Sequence, residues 1–104
     1  MSYREIMERI REGYDPEKME GVNALYQFEV QGEDQGFFYL QVEDGEAEME
    51  EGQAESHDVK IAIDEDDFFR ILGGEIKVPT AFLTGKIKVK GNMSLAMKLQ
   101  SLLA

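Results

Sequence analysis

Chemistry that needs a nucleophile or a soft metal ligand has little to work with in this chain, which holds 104 residues, one histidine and no cysteine. A thiol nucleophile, a thiolate metal site and a disulfide framework are therefore excluded. His57 falls where a polar loop meets a strand, without the base and orienting carboxylate that would activate a nearby serine, and it reads as a surface residue. The acidic run Asp64 to Asp67 has the charge to attract Mg²⁺ or Ca²⁺ but lacks the alternate spacing of a calcium loop. A helix start explains it: Asp64 caps, and Glu65, Asp66 and Asp67 sit where the helix dipole is positive. Glycines 73, 74, 85 and 91 close elements, and none opens the Gly, Lys, Ser/Thr sequence of a phosphate loop. No catalytic residue, metal or cofactor is expected, and the chain does not read as an enzyme.

Charge is the stronger signal. The formal net charge is −11, with Glu46, Glu48, Glu50 and Glu51 forming an acidic strip and Lys77, Lys86, Lys88, Lys90 and Lys98 gathered toward the carboxyl end. Such a balance argues against a nucleic-acid partner, because phosphate contacts draw on clustered Lys and Arg. No stretch supplies the roughly 18 to 20 consecutive apolar residues of a bilayer span, so stable membrane insertion is not expected. The amino-terminal MSYREIMERI has no secretion-signal core, and a cytoplasmic setting is the expectation.

The elements that must position these groups read as one α+β domain over residues 1–104, a length that supports a single core. Ser2 and Glu5 form a capping box for a helix with Tyr3, Ile6, Met7 and Ile10 on one face, ended by Gly13. Asp15 and Pro16 begin a short helical turn that Gly21 closes. Val22, Ala24, Tyr26, Phe28 and Val30 point one way and Asn23, Gln27, Glu29 and Gln31 the other, as in a strand with one buried face. A second strand covers Phe37 to Val42, and Asp44-Gly45 makes a tight hairpin into a third at Glu46 to Glu50. Val59, Ile61 and Ile63 mark a fourth strand before the acidic helix start; in that helix Phe68 and Phe69 point about 100° apart, so the two rings cover different things. A short apolar turn ends at Gly85, Lys86 to Lys90 alternates as a fifth strand, and Asn92 caps a nearly uncharged helix from Met93 to Leu103. Strands followed by helices predict helices packed on one face of a mainly antiparallel sheet.

The segment GKIKVKGNMSLAMKLQSL, with IAIDEDDFFRILGG and PTAFLTG upstream, resembles the carboxyl-terminal half of the sterol carrier protein type-2 family of lipid-binding domains. The resemblance implies a five-stranded sheet whose last strand is added after a helical excursion, and an apolar tunnel between sheet and helices. It implies binding or transfer of a lipid (fatty acid, fatty acyl-CoA, phospholipid or sterol) without catalysis. The matching positions Phe68, Ile71, Leu72, Phe82, Leu83, Met93, Ala96, Met97 and Gln100 are the expected ligand contacts. Residues 95, 99, 102 and 103 form one stripe of the last helix and 93, 96, 97 and 100 its neighbour, so one stripe should meet the sheet and the other the cavity. Lys77 and Lys98 are the expected partners of a charged head group, because Lys86, Lys88 and Lys90 face away from the helices. The glutamine of MKLQ, Gln100, is either exposed near the chain end or offers its amide to a ligand oxygen. The competing expectation is an interaction module whose apolar carboxyl-terminal helix docks on a partner protein or a second copy, with no lipid.

Overall fold

The computed structural model describes residues 3–33 and 35–103, so the Ser2 half of the expected capping box lies outside the described residues. The elements run α1 (Tyr3–Gly13), a 3-10 turn (Pro16–Met19), β1 (Asn23–Gln31), β2 (Gly36–Glu43), β3 (Glu46–Glu51) and β4 (Val59–Asp64). There follow α2 (Glu65–Leu72), α3 (Val78–Leu83), β5 (Ile87–Gly91), α4 (Met93–Met97) and α5 (Leu99–Leu103). The sheet order is β3-β2-β1-β4-β5. Every pairing is antiparallel except the central β1–β4 pair, which the helix-free connection through β2 and β3 makes parallel.

Alternation decides which face is covered. Ala24, Tyr26, Phe28 and Val30 of β1 are buried, and the register sets Phe28 beside Phe38 on one side and Ile61 on the other. The inward residues of β2, β4 and β5 continue this apolar layer, and the helices pack against it. The Asp44-Gly45 hairpin forms as expected: both residues adopt positive φ, 50° and 88°, which the tight two-residue turn requires. Asp64 and Asn92 cap α2 and α4 through their side chains, accepting from the amides of Asp66 and Leu95.

Three local expectations are corrected. The apolar turn before Gly85 is a helix, α3, with Pro79 in its first turn where a missing N–H costs nothing. The last helix is two helices, broken at Lys98, whose amide bonds back to the Leu95 carbonyl. On the outer sheet face, Gln27 is 3% exposed rather than solvated. Its Nε2 donates to the carbonyls of Phe38 and Gly52, and its Oε1 accepts from the Ala54 amide, which ties the polar loop across the sheet.

Candidate functional site

Aromatic rings fill the space between sheet and helices. Phe28 and Phe38 stack with centroids 4.8 Å apart, and Phe68 of α2 closes over them at 5.8 and 6.3 Å. Phe68 and Ile71 are therefore core residues in this conformation, fully buried against the sheet. Phe69 turns the other way, as its helical offset requires, and lies under the Arg9 guanidinium at 5.7 Å, which fastens α2 to α1.

A tyrosine holds the covering helices from below. Tyr26 is wholly buried, and its hydroxyl donates to the Leu95 carbonyl at 2.9 Å. Burial, with the nearby Tyr14 phenol as a smaller contribution, pushes its pKa up to about 12, so the group stays a neutral donor. The same Leu95 carbonyl accepts from Lys98, so the break between α4 and α5 sits directly above the phenol. Ala96, Leu99, Leu102 and Leu103 are buried, whereas Met93 and Met97 are 44% and 49% exposed. The expected stripe of residues 95, 99, 102 and 103 faces inward, whereas the other divides: Ala96, small enough to let α4 approach the sheet, is separated from its neighbours Met93 and Met97.

Gln100 has a role that neither sequence reading contained. Its Oε1 accepts from the Val78 amide at 2.8 Å. Val78 opens α3, a helix whose cap residue, Lys77, supplies no side-chain bond, so Gln100 of α5 satisfies an otherwise orphaned amide and joins the two helices. Phe82, also on α3, is half-buried, and Leu83 at its end is 83% exposed. Lys77 and Lys98 are both exposed at helix ends. Lys86 does not face away from the helices as expected, because its ammonium pairs with Asp67 of α2 at 3.7 Å; Lys88 and Lys90 do lie on the outer face of the sheet, beside Ala62 and Lys60.

One groove combines an apolar floor with a fixed cation. It runs between α1, the end of α2 and α5, has a volume of about 300 Å³ and is lined by Arg9, Ile10, Glu12, Gly13, Leu72, Leu102 and Leu103. Of the expected contacts, only Leu72 lies in its wall. Arg9 escaped sequence reasoning; the signal that pointed to it was Phe69, whose ring had to cover something other than the sheet. No cluster of metal-ligating side chains occurs among the described residues, and none of their helices is long and apolar enough to cross a membrane.

The architecture has relatives. Hydroxysteroid dehydrogenase-like protein 2 of Bos taurus is 34% identical over 95 residues, a stretch that is 90% of this chain and 23% of that protein. The chain thus spans about a quarter of this much longer relative. Among solved structures, the crystal structure of Sterol Carrier Protein 2 Like 2 from Aedes aegypti superposes with a TM-score of 0.80 at 26% identity, covering 97% of this chain and 95% of that one. The solution structure of the palmitated form of that mosquito protein gives a TM-score of 0.82 at 25% identity, covering 99% and 95%. Residues 4–104 match the SCP-2 sterol transfer family, and to that family this chain belongs.

Proposed function

We propose that this domain binds one fatty-acyl chain noncovalently in a cytoplasmic setting and shields it from water for transfer, with the chain entering between α1, α2 and α5. The observation that carries this reading is the groove, whose floor of Ile10, Leu72, Leu102 and Leu103 is apolar and whose rim holds Arg9. Its volume of about 300 Å³ is at the lower end of ligand pockets, and the interior behind it is filled by Phe68 and Ile71. Uptake therefore requires α5 to move outward. That helix is only five residues long and is separated from α4 by the break at Lys98, so it can swing without unfolding the sheet. Phe68, Ile71 and Ala96 then become the cavity wall, Leu72 its mouth, and Phe82 and Gln100 the joint on which α5 turns. Leu83, Met93 and Met97 present apolar surface to the incoming chain. Likeness to a palmitated protein supports an acyl cargo over a sterol.

Ten buried methylenes at about 0.8 kcal/mol each contribute about 8 kcal/mol before ordering costs, so micromolar affinity requires most of the chain to be inside. Binding of this kind needs no catalytic group. The test is titration of delipidated protein with a fluorescent fatty acid, followed by displacement with palmitate and with its methyl ester. Saturable binding, displaced by palmitate and abolished by Leu103→Trp, is expected; Arg9→Gln should weaken palmitate more than the ester. A folded, delipidated protein that binds no acyl probe saturably refutes the reading. The exposure of Leu83, Met93 and Met97 favours a second reading, docking of these helices on a partner protein or a second copy without lipid. Met93→Ser with Met97→Ser would abolish that docking and leave the groove intact.

A further inference from the structure

The two edges of the sheet carry opposite charge at the same spacing. On β3 the outward residues are Glu46, Glu48 and Glu50; on β5 they are Lys88 and Lys90, with Lys86 just before the strand reaching Asp67 of α2. Both strands end the sheet, so each leaves one row of backbone groups without a strand partner. Glu46, Glu48, Lys88 and Lys90 make no ion pair among the described residues. Lys90 moreover stands directly opposite Lys60, a like-charge pair that gains from a nearby carboxylate.

Strand direction makes the edges compatible. β1 and β4 run parallel, and β2, β3 and β5 each run antiparallel to their inner neighbour, so β3 and β5 point in opposite directions. A second copy shifted across the sheet therefore brings its β3 antiparallel to β5 with both helix layers on the same side. In the register that sets Glu48 against Lys88, Glu46 meets Lys90, and Glu50 lies opposite Lys86, which pairs with Asp67 within its own chain. The same register sets Ala47 against Val89 and Met49 against Ile87 on the helix face. Charge on one face and apolar side chains on the other are satisfied together. Pairing β3 with β3, or β5 with β5, would instead set like charges opposite each other, which is destabilising.

We infer that this chain associates with a second copy of itself by adding β3 of one molecule to β5 of the next. The contact is head-to-tail, so it leaves a free edge at each end and continues with concentration. Each copy is strongly acidic, and this long-range repulsion keeps the association weak and confined to high local concentration.

A charge exchange tests it. Lys88→Glu with Lys90→Glu gives a molecule with two acidic edges, and Glu48→Lys with Glu50→Lys gives one with two basic edges. Both remain net acidic, so bulk charge does not draw them together. At physiological salt, sedimentation should show the wild-type mass rising with concentration to at least twice the 11.8 kDa monomer by millimolar concentration. Each variant alone should stay monomeric, and their equimolar mixture should associate again. All four positions are exposed, and unchanged circular dichroism checks the folds. A wild type that is monomeric throughout, or a mixture no more associated than its parts, overturns the inference. Because the chain has no native cysteine, Glu48→Cys and Lys88→Cys proteins offer a separate reading on air oxidation. Mixed disulfide in excess of random pairing supports the register, and random pairing overturns it.

Discussion

Removing the Gln100 carbonyl should loosen α3 specifically, because Val78 N–H has no other acceptor at the start of that helix. Gln100→Leu keeps the side-chain bulk and deletes the bond. A neutral hydrogen bond contributes about 0.5 to 1.5 kcal/mol, and leaving a partly buried amide unpaired places the cost toward the upper end, about 1 kcal/mol or slightly more. In a domain of this size that corresponds to a fall in Tm of roughly 4 to 8 °C. Gln100→Glu preserves an acceptor oxygen at the same reach and should retain most of the stability, which separates the bond from packing. Thermal unfolding gives the magnitude, and amide hydrogen exchange gives the location: Val78 should lose protection in the Leu variant and keep it in the Glu variant. Equal protection of Val78 in all three proteins would refute the assigned bond, whatever the change in Tm. If Gln100 is also the joint on which α5 swings, the Leu variant should take up acyl probe faster than wild type.

Phe68→Ala removes a ring packed on both Phe28 and Phe38 and should cost about 3 to 5 kcal/mol, enough to leave a marginal domain partly unfolded in urea titration at 25 °C. Tyr26 should make the domain sensitive to alkali: its folded pKa of about 12 lies above the ordinary 10.0, so its stabilising contribution is present below pH 10 and is lost as pH rises toward 12. Tyr26→Phe should lower neutral-pH stability by about 1 kcal/mol through the lost bond to Leu95 and should flatten that alkaline decline, as read by urea midpoints across pH. Gly91→Ala should destabilise by more than an ordinary surface change, because φ is 112° and a Cβ would stand 2.5 Å from the Asp58 carbonyl. Its signature in hydrogen exchange should be loss of protection at Asn92, whose amide bonds that same carbonyl.

How much of this was legible in the sequence depends on how far apart the deciding residues lie. The alternation from Val22 to Val30 exposed β1 because side chains in a strand change face at every residue, and the buried set observed is the one the pattern implies. Asp64, Asn92 and the Asp44-Gly45 turn were readable for the same reason, since a cap or hairpin depends on a few adjacent residues. Gln27 looked like an ordinary outward residue. Its burial depends on a loop 25 residues away that supplies both a carbonyl and an amide, and no local pattern contains that information.

The site was less legible because its geometry is set by one long-range bond. Met93 to Leu103 has the composition of one helix, and as one helix it would display the two stripes expected of it. Tyr26, 69 positions before Leu95, donates to the Leu95 carbonyl, and the chain restarts its helix beyond Lys98. Leu99, Leu102 and Leu103 keep the inward face expected of one helix, whereas Ala96 goes in and leaves Met93 and Met97, its expected neighbours on one stripe, outside. Family resemblance could name the residues of this segment but not that Ala96 would be buried while Met93 and Met97 stay exposed. The break at Lys98, which composition did not show, is the position at which the proposed site would open.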